Sequence, residues 1–351
     1  MINKFIKRED TLFEKLKKES RPIVVYGMGN GADKIFDLCE KKNIIISDIF
    51  ASDEFVRGHS FRGIRVKTYS EICELYEDFV VLLAFAVFKD DLMEKILNIS
   101  KEHKLLVPDV PLFGSGIFDY DFLSINIKNI EKAYNILADE KSRSVFLDVI
   151  NFKLSGEPSF LWRCESERDE VFENIIRLGK NENYVDLGAY DGDTIAEFLG
   201  NTDGSFETIT AFEPDRKNMK KLLKAFGSME NCRLFPYASW ENDCTMNFSG
   251  NGGRMSCFDE RGTQVEARAV DSVCEKATYI KMDVEGAEYE TLNGCKNIIL
   301  TQKPALAVSA YHRAGDIFSL VLHISSLNPD YKIYLRHHRY LPSWETNIYA
   351  V

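Results

Sequence analysis

The sequence predicts an α/β chain with two Rossmann-like domains, on three observations. At 351 residues and 40.2 kDa the chain exceeds what one core usually encloses, since domains hold roughly 100 to 200 residues. A strand, a glycine-bearing turn and a helix follow one another twice, at residues 21–42 and again from residue 183. Beyond the second unit strands and helices alternate, with one interruption, which implies a parallel sheet covered by helices. The organisation expected is a leading helix at 1–20, a Rossmann-like accessory domain at 21–110, a helical connector at 111–180 and a second α/β domain at 181–351.

Composition narrows the class. Hydrophobic residues make up 45% and charged residues 28% of the chain, as in folded globular proteins. A net charge of -11 speaks against a nucleic-acid surface, which Lys and Arg clusters would have to supply, and favours small or neutral substrates. The eight cysteines are nowhere closer than 12 positions, so neither a C-x-x-C pair nor a zinc knuckle forms locally, as expected of thiols in a reducing compartment. The first ten residues carry charges where a signal peptide needs an apolar run, and no stretch approaches the ~20 apolar residues of a membrane span. A cytoplasmic location follows, and a homo-oligomer is compatible with it.

Taken in order, Phe5, Leu12, Phe13 and Leu16 mark an amphipathic leading helix that straps the next domain. Arg21–Tyr26 is an apolar strand, and Gly27, Gly29 and Ala32 satisfy G-x-G-x-x-G/A, with Asp48 at the end of the next strand, Ile44–Ile49. These four residues form a candidate second nucleotide site. The segment to about residue 108 resembles the small Rossmann-like domains of bacterial polysaccharide and nucleotide-sugar biosynthesis enzymes, and a scaffold without a ligand is the equal alternative. Pro108–Gly116 is a turn-rich boundary, and a connector helix from Lys128 to Leu154 breaks near Lys141–Ser142 and stops at Gly156. Phe160, Leu161 and Trp162 fit core packing better than a substrate entrance. A helix spans Glu167–Leu178.

The second unit begins with the buried strand Tyr184–Leu187, the turn Gly188–Asp193 and a helix that Asp193 or Thr194 caps. Strands Thr208–Phe212, Cys232–Tyr237, Tyr279–Met282, Ala305–Ala310, Lys332–Leu335 and Thr346–Val351 follow, with helices ending near Phe226, Asn293 and Leu327. Residues 245–270, around Gly-Asn-Gly-Gly at 250–253, read as an antiparallel flap.

Asp186, Glu213 and Asp283 all sit where parallel strands end, which is where open α/β sheets bind ligands. Glu213, 25 residues past Gly188, is placed to accept from ribose hydroxyls, and the Gly188–Gly192 turn would lie under the ligand. This turn lacks G-x-G-x-x-G and so offers no compact pyrophosphate cradle. An adenosyl ligand with an amino-acid tail fits better, which points to S-adenosylmethionine: its amine near Asp186 and Asp191, its carboxylate at the helix start.

Val185-Asp186-Leu187-Gly188-Ala189-Tyr190-Asp191-Gly192-Asp193-Thr194, Ala211-Phe212-Glu213-Pro214-Asp215, Tyr237-Ala238 and Ile280-Lys281-Met282-Asp283-Val284-Glu285-Gly286-Ala287-Glu288 closely resemble the FkbM family of S-adenosylmethionine-dependent methyltransferases. The resemblance implies a class I seven-stranded methyltransferase fold, methyl transfer to a hydroxyl of a sugar or natural product, Glu213 on ribose and Ala238 near adenine. The cofactor set is then Asp186, Gly188, Ala189, Tyr190, Asp191, Gly192, Thr194, Glu213, Pro214, Ala238 and Asp283. Candidates for removing the hydroxyl proton are Asp283, Glu285 and His312, with a packed His312 an equal alternative. These types also suit a metal, but the leading reading assigns none. Arg254 and Arg313 are candidate grips for an anionic acceptor, and His337 and His338 are expected to be peripheral. Two competing readings are a nucleotide-sugar oxidoreductase or epimerase-like N-terminal unit, which lacks a Tyr-x-x-x-Lys pair, and a binding protein that retains the cofactor fold.

Overall fold

A computed structural model describes residues 6, 9–110, 112, 116–249, 257–258 and 263–351. Phe5, the 250–253 loop and Arg254 lie outside them. The leading helix is Leu12–Lys18, opened by a capping box in which Thr11 and Glu14 satisfy each other's backbone N–H groups. Its buried face of Leu12, Phe13 and Leu16 covers the first sheet, beside Ile23 and Val25.

That first sheet is parallel and four-stranded, in the order Asp48–Phe50, Ile23–Tyr26, Val80–Leu83, Lys104–Leu106. Strand alternation divides its side chains between two cores. Ile23, Val25, Val80 and Leu82 pack under the leading helix, whereas Val24, Tyr26, Val81 and Leu83 face the connector and the rest of the chain. Asp48 opens its strand instead of closing it, paired with Val24, because the apolar residues before it form a loop.

The connector is two helices, Tyr120–Ile136 and Glu140–Ser155. The break falls at Leu137–Asp139, a little earlier than Lys141, because the Asp139 carboxylate caps the second helix by accepting from Ser142 N at 2.7 Å. Gly156, left-handed at φ 69°, ends it. Phe160 and Leu161 are core residues. The expected helix Glu167–Leu178 is shorter, Arg168–Val171 running into a π-helical turn Phe172–Ile176.

The second sheet has seven strands in the order Ile333–His337, Thr346–Ala350, Ala305–Ser309, Tyr279–Met282, Asn183–Leu187, Thr208–Phe212, Cys232–Phe235. Only Thr346–Ala350 runs antiparallel to its neighbours. Chain order reverses beside Asn183–Leu187, which pairs with both Thr208–Phe212 and Tyr279–Met282, so a crevice opens at these strand ends. The expected strand Cys232–Tyr237 splits at Pro236, which has no N–H to donate. Tyr237–Ser239 then joins a separate sheet with Thr263–Arg268, Cys244–Ser249 and Cys257–Phe258, the antiparallel excursion. Glu288–Gly294 starts later than expected because Glu285 and Gly286 are left-handed, at φ 55° and 92°. A further helix, Lys296–Gln302, escapes the sequence reading.

Connector and second sheet are tied by Arg336, which is 2% exposed. Its guanidinium donates to Asp139 Oδ2 at 2.7 Å, Ser142 Oγ at 2.8 Å and Glu170 Oε1 at 3.3 Å. Among the described residues no helix is long and apolar enough to cross a membrane. Asp139→Ala removes both the helix cap and the main counter-charge of a buried guanidinium. It should lower unfolding free energy by about 3 kcal/mol, read from urea unfolding followed by far-UV circular dichroism; an unchanged midpoint would disprove the tie.

Candidate active site

The crevice holds a cavity of about 350 Å³. Its geometry begins at Gly188, left-handed at φ 78°, where a Cβ would stand 1.9 Å from the Asp283 carbonyl oxygen. No other residue fits so close a crossing of two backbones. Gly188 N and Ala189 N both donate to Phe212 O at 3.0 Å, which folds the turn back over the neighbouring strand end. Tyr190, left-handed at φ 49°, then aims its N–H at Glu213 Oε2, 2.8 Å away, while Asp215 N donates to Glu213 Oε1 at 2.7 Å. Burial pushes the Glu213 carboxyl up to about 7 against these two hydrogen bonds.

Asp186 is fully buried, with Thr194 Oγ1 donating to its Oδ2 at 2.6 Å and Lys281 Nζ 3.7 Å from its Oδ1. Burial raises the Asp186 pKa, and Lys281 and Thr194 oppose this. For Lys281 burial works downward but is outweighed by Asp186 and Asp283, so it stays a cation. The helix after the turn, Asp193–Asn201, has Gly192 at its cap position in place of a side-chain cap, so neither Asp193 nor Thr194 caps it.

Across the crevice, Asp283 accepts from Tyr311 OH at 3.2 Å on both oxygens and lies 3.3 Å from His312 Nε2. His312 Nε2 is also 3.4 Å from Glu285 Oε2, and its Nδ1 is 2.8 Å from Glu288 Oε1. Burial would lower the His312 pKa, but Glu288, Asp283 and Glu285 drive it up to about 10. Burial raises Glu285 to about 8, whereas Asp283 is held below the usual carboxylate range because Lys281, His312 and Tyr311 overcome its burial. At neutral pH this corner therefore carries an ionised Asp283 and an imidazolium. His312, Asp283 and Glu288 offer ligand atoms within 4.8 Å of one another. Glu288 Oε1, however, already accepts from Val284 N at 3.0 Å and Gly286 N at 3.4 Å, as expected of an ion pair that holds the turn.

No curated protein matches the chain. The family described as the methyltransferase FkbM domain matches residues 186–341, the span that contains the Gly188 turn, Glu213, Asp283 and His312. Residues 186–341 form an FkbM methyltransferase domain. Among solved structures, the chain is similar to the methyltransferase FkbM from Methylobacillus flagellatus KT, at 22% identity and a TM-score of 0.76, over 100% of this chain and 96% of that one. This likeness shows the fold of the whole chain, N-terminal sheet included. An rRNA methylase from Streptococcus thermophilus (16% identity, TM-score 0.33, 49% of this chain and 87% of that one) and a precorrin-6y C5,15-methyltransferase from Geobacter metallireducens GS-15 (12%, 0.33, 51% and 84%) are too distant to carry an argument. None of these matches supports the N-terminal resemblance to sugar-biosynthesis enzymes.

Of the predicted cofactor set, the FkbM domain brings Gly188, Tyr190, Thr194, Glu213, Pro214, Ala238 and Asp283 to the cavity wall, with Glu285 and His312. Asp186, Ala189 and Gly192 are not part of that wall, and Asp191 faces Lys221 at 3.9 Å. Asp186 is fully buried, with Thr194 and Lys281 beside its two oxygens. Arg313 is also off the wall. His337 and His338 are buried, bonded to Thr346 and to Ser166 and Tyr349.

The N-terminal fingerprint is used for packing. The Phe85 ring lies 2.6 Å from where a Gly27 Cβ would stand, and the helix at Gly31 rests on the Ala84 carbonyl, 2.3 Å from a Cβ there. Asp48, two pairs below Tyr26, opens its strand and accepts from Lys67 and Tyr76, away from the strand end beside Gly27.

Sequence reasoning passed over Lys281, although it stands inside the Ile280–Glu288 motif, and Tyr311, the neighbour of His312. Lys281 is two residues before Asp283 and so shares its strand face. It also passed over Arg168, Phe172, Tyr340, Trp344, Glu345 and Asn347, which line the far wall and carry no local signal.

The folded chain keeps the His312 proton up to about pH 10, while the unfolded chain releases it near 6.5. Its stabilising contribution is complete below pH 6.5 and is lost as pH rises through 10. Guanidinium unfolding of His312→Gln should therefore show a shallower loss of stability than wild type between about pH 6.5 and pH 10; identical slopes would contradict the ion-pair assignment.

Proposed function

We propose that the chain is an S-adenosylmethionine-dependent O-methyltransferase of class I architecture, acting on a hydroxyl of a saccharide or saccharide-linked molecule. The observation that carries this reading is the convergence of Glu213, the Gly188–Tyr190 turn and Asp283 on one cavity at the point where strand order reverses. The residues suit an adenosyl ligand. Each Glu213 oxygen accepts one backbone N–H and keeps a lone pair for a ribose hydroxyl, and Ala238 and Pro214 leave apolar room for a base.

Bound there, the cofactor supplies an electrophilic methyl group on a sulfonium. The protein's share is to align the acceptor hydroxyl, exclude water and take up a proton. Asp283, ionised and 30% exposed in its side chain, is the group placed to accept the hydrogen bond of that hydroxyl. Its low pKa makes it a weak base, but the oxygen becomes strongly acidic as it gains its methyl group, so the proton passes late and a weak base suffices. His312, already protonated, holds Asp283 and Glu285 in place and takes no proton itself. The ionised Asp283 also favours a cationic sulfonium.

Glu213→Ala should weaken S-adenosylmethionine binding by roughly 1.5 to 3 kcal/mol, measured by isothermal titration. An unchanged affinity removes the ribose assignment, and absence of binding to folded wild-type protein removes the proposed function.

A further inference from the structure

The cavity has a second half that the cofactor reading leaves unused. Its wall comes from Arg168 and Phe172, at the end of the connector, and from Tyr340, Trp344, Glu345 and Asn347, in the turn and strand that close the chain. We infer that this half is an acceptor shelf that takes an uncharged sugar ring and discriminates against phosphorylated or carboxylated sugars; this rests on the methyltransferase reading.

Charge is the first ground. Six carboxyl groups line the cavity, Asp193, Glu197, Glu213, Asp283, Glu285 and Glu345, of which burial pushes Glu213 and Glu285 toward the neutral form, against Arg168, Lys281 and His312. Each of those cations is already committed. Arg168 Nη2 meets Glu345 Oε2 at 2.6 Å and its Nη1 meets Glu197 Oε1 at 3.3 Å. Lys281 lies between Asp186 and Asp283, and His312 among three carboxylates. An anionic substituent would find no uncommitted cation among the described lining residues and would sit among like charges.

The second ground is the match between wall and ligand surface. Trp344 stands beside Tyr340, with ring centroids 6.1 Å apart and planes at 37°, which gives an aromatic surface for the C–H face of a pyranose. The polar groups around it are rich in acceptors: the carboxylates of Glu345 and Asp283 and the amide oxygen of Asn347. Ionised carboxylates only accept, so they suit a ligand that presents many hydroxyl donors.

The third ground is that the shelf is rigidly backed from the N-terminal sheet. Phe88 stacks on Tyr340 at 5.7 Å and 11°. One residue on, Leu341 exchanges two backbone hydrogen bonds with Val87, at 2.8 and 2.9 Å. The N-terminal segment thus positions the acceptor wall.

The test uses the full chain saturated with S-adenosylhomocysteine and saturation-transfer NMR with two probe sets. One is neutral methyl glycosides of glucose, galactose, mannose and rhamnose; the other is the hexose 6-phosphates and uronic acids. Neutral glycosides should bind at least about tenfold better than their charged counterparts. Trp344→Leu should lose the signal and Trp344→Phe keep most of it, while Phe88→Ala weakens it from outside the cavity. Affinity for S-adenosylhomocysteine, titrated separately, should stay within about twofold in all three, which also reports that they fold. Equal or tighter binding of the charged sugars, or no binding of any neutral glycoside, overturns the shelf. Failure to bind S-adenosylhomocysteine overturns the methyltransferase reading instead.

Discussion

Everything in the crevice depends on how closely two strand ends pass. Asp283 N donates to Leu187 O at 2.9 Å, and the next residue along, Gly188, turns away over the Asp283 carbonyl with no room for a side chain. That crossing sets the glycine turn directly beside the Asp283 strand end. A bulkier residue at 188 would push the strand ends apart and separate the Gly188–Tyr190 turn from Asp283. Glu213 depends on the same crossing, since the turn's N–H at Tyr190 reaches it only because Gly188 and Ala189 are anchored on Phe212.

Around this crossing the chain buries an unusual density of charge. Lys281 and His312 are each surrounded by carboxylates, and desolvation makes each group's ionisation depend on its neighbours. The outcome is a division of labour among residues that look equivalent on paper. Asp283 remains ionised and open to the cavity, Glu285 is pushed toward its neutral form, and Glu288 is spent on backbone amides and His312. Such a network is costly to hold and rigid once satisfied, as suits a site that must align reactants within fractions of an ångström.

Much of this was legible in the sequence, for identifiable reasons. Strands Thr208–Phe212 and Tyr279–Met282 are short runs rich in β-branched and aromatic residues, and their limits match the structure to the residue. Glu213 and Asp283 were readable because strand ends in parallel sheets carry ligand groups. What misled was local regularity. The fingerprint at Gly27 meets the spacing rule, yet spacing does not say whether Phe85 lies over the glycine or whether Asp48 starts or ends its strand. Protonation was equally hidden: His312 sits next to Tyr311 in sequence, but its state depends on Glu285 and Glu288, which only the fold brings near. Trp344 and Arg168 were unreadable because nothing in either's neighbourhood signals the other.

The division of side chains on the strand Ile23–Tyr26 has a consequence for how the molecule comes apart. Val24 and Tyr26 belong to one continuous core with Phe146 and Phe152 of the connector and with Val185, Ile280 and Leu335 of the large sheet. There is no plane along which the N-terminal sheet can be peeled off without exposing apolar surface on both sides. Melting should accordingly be a single cooperative event, and a protease would find few stable fragments. The matched domain would then be a unit of ancestry more than a unit of folding, dependent on the preceding half of the chain for its stability.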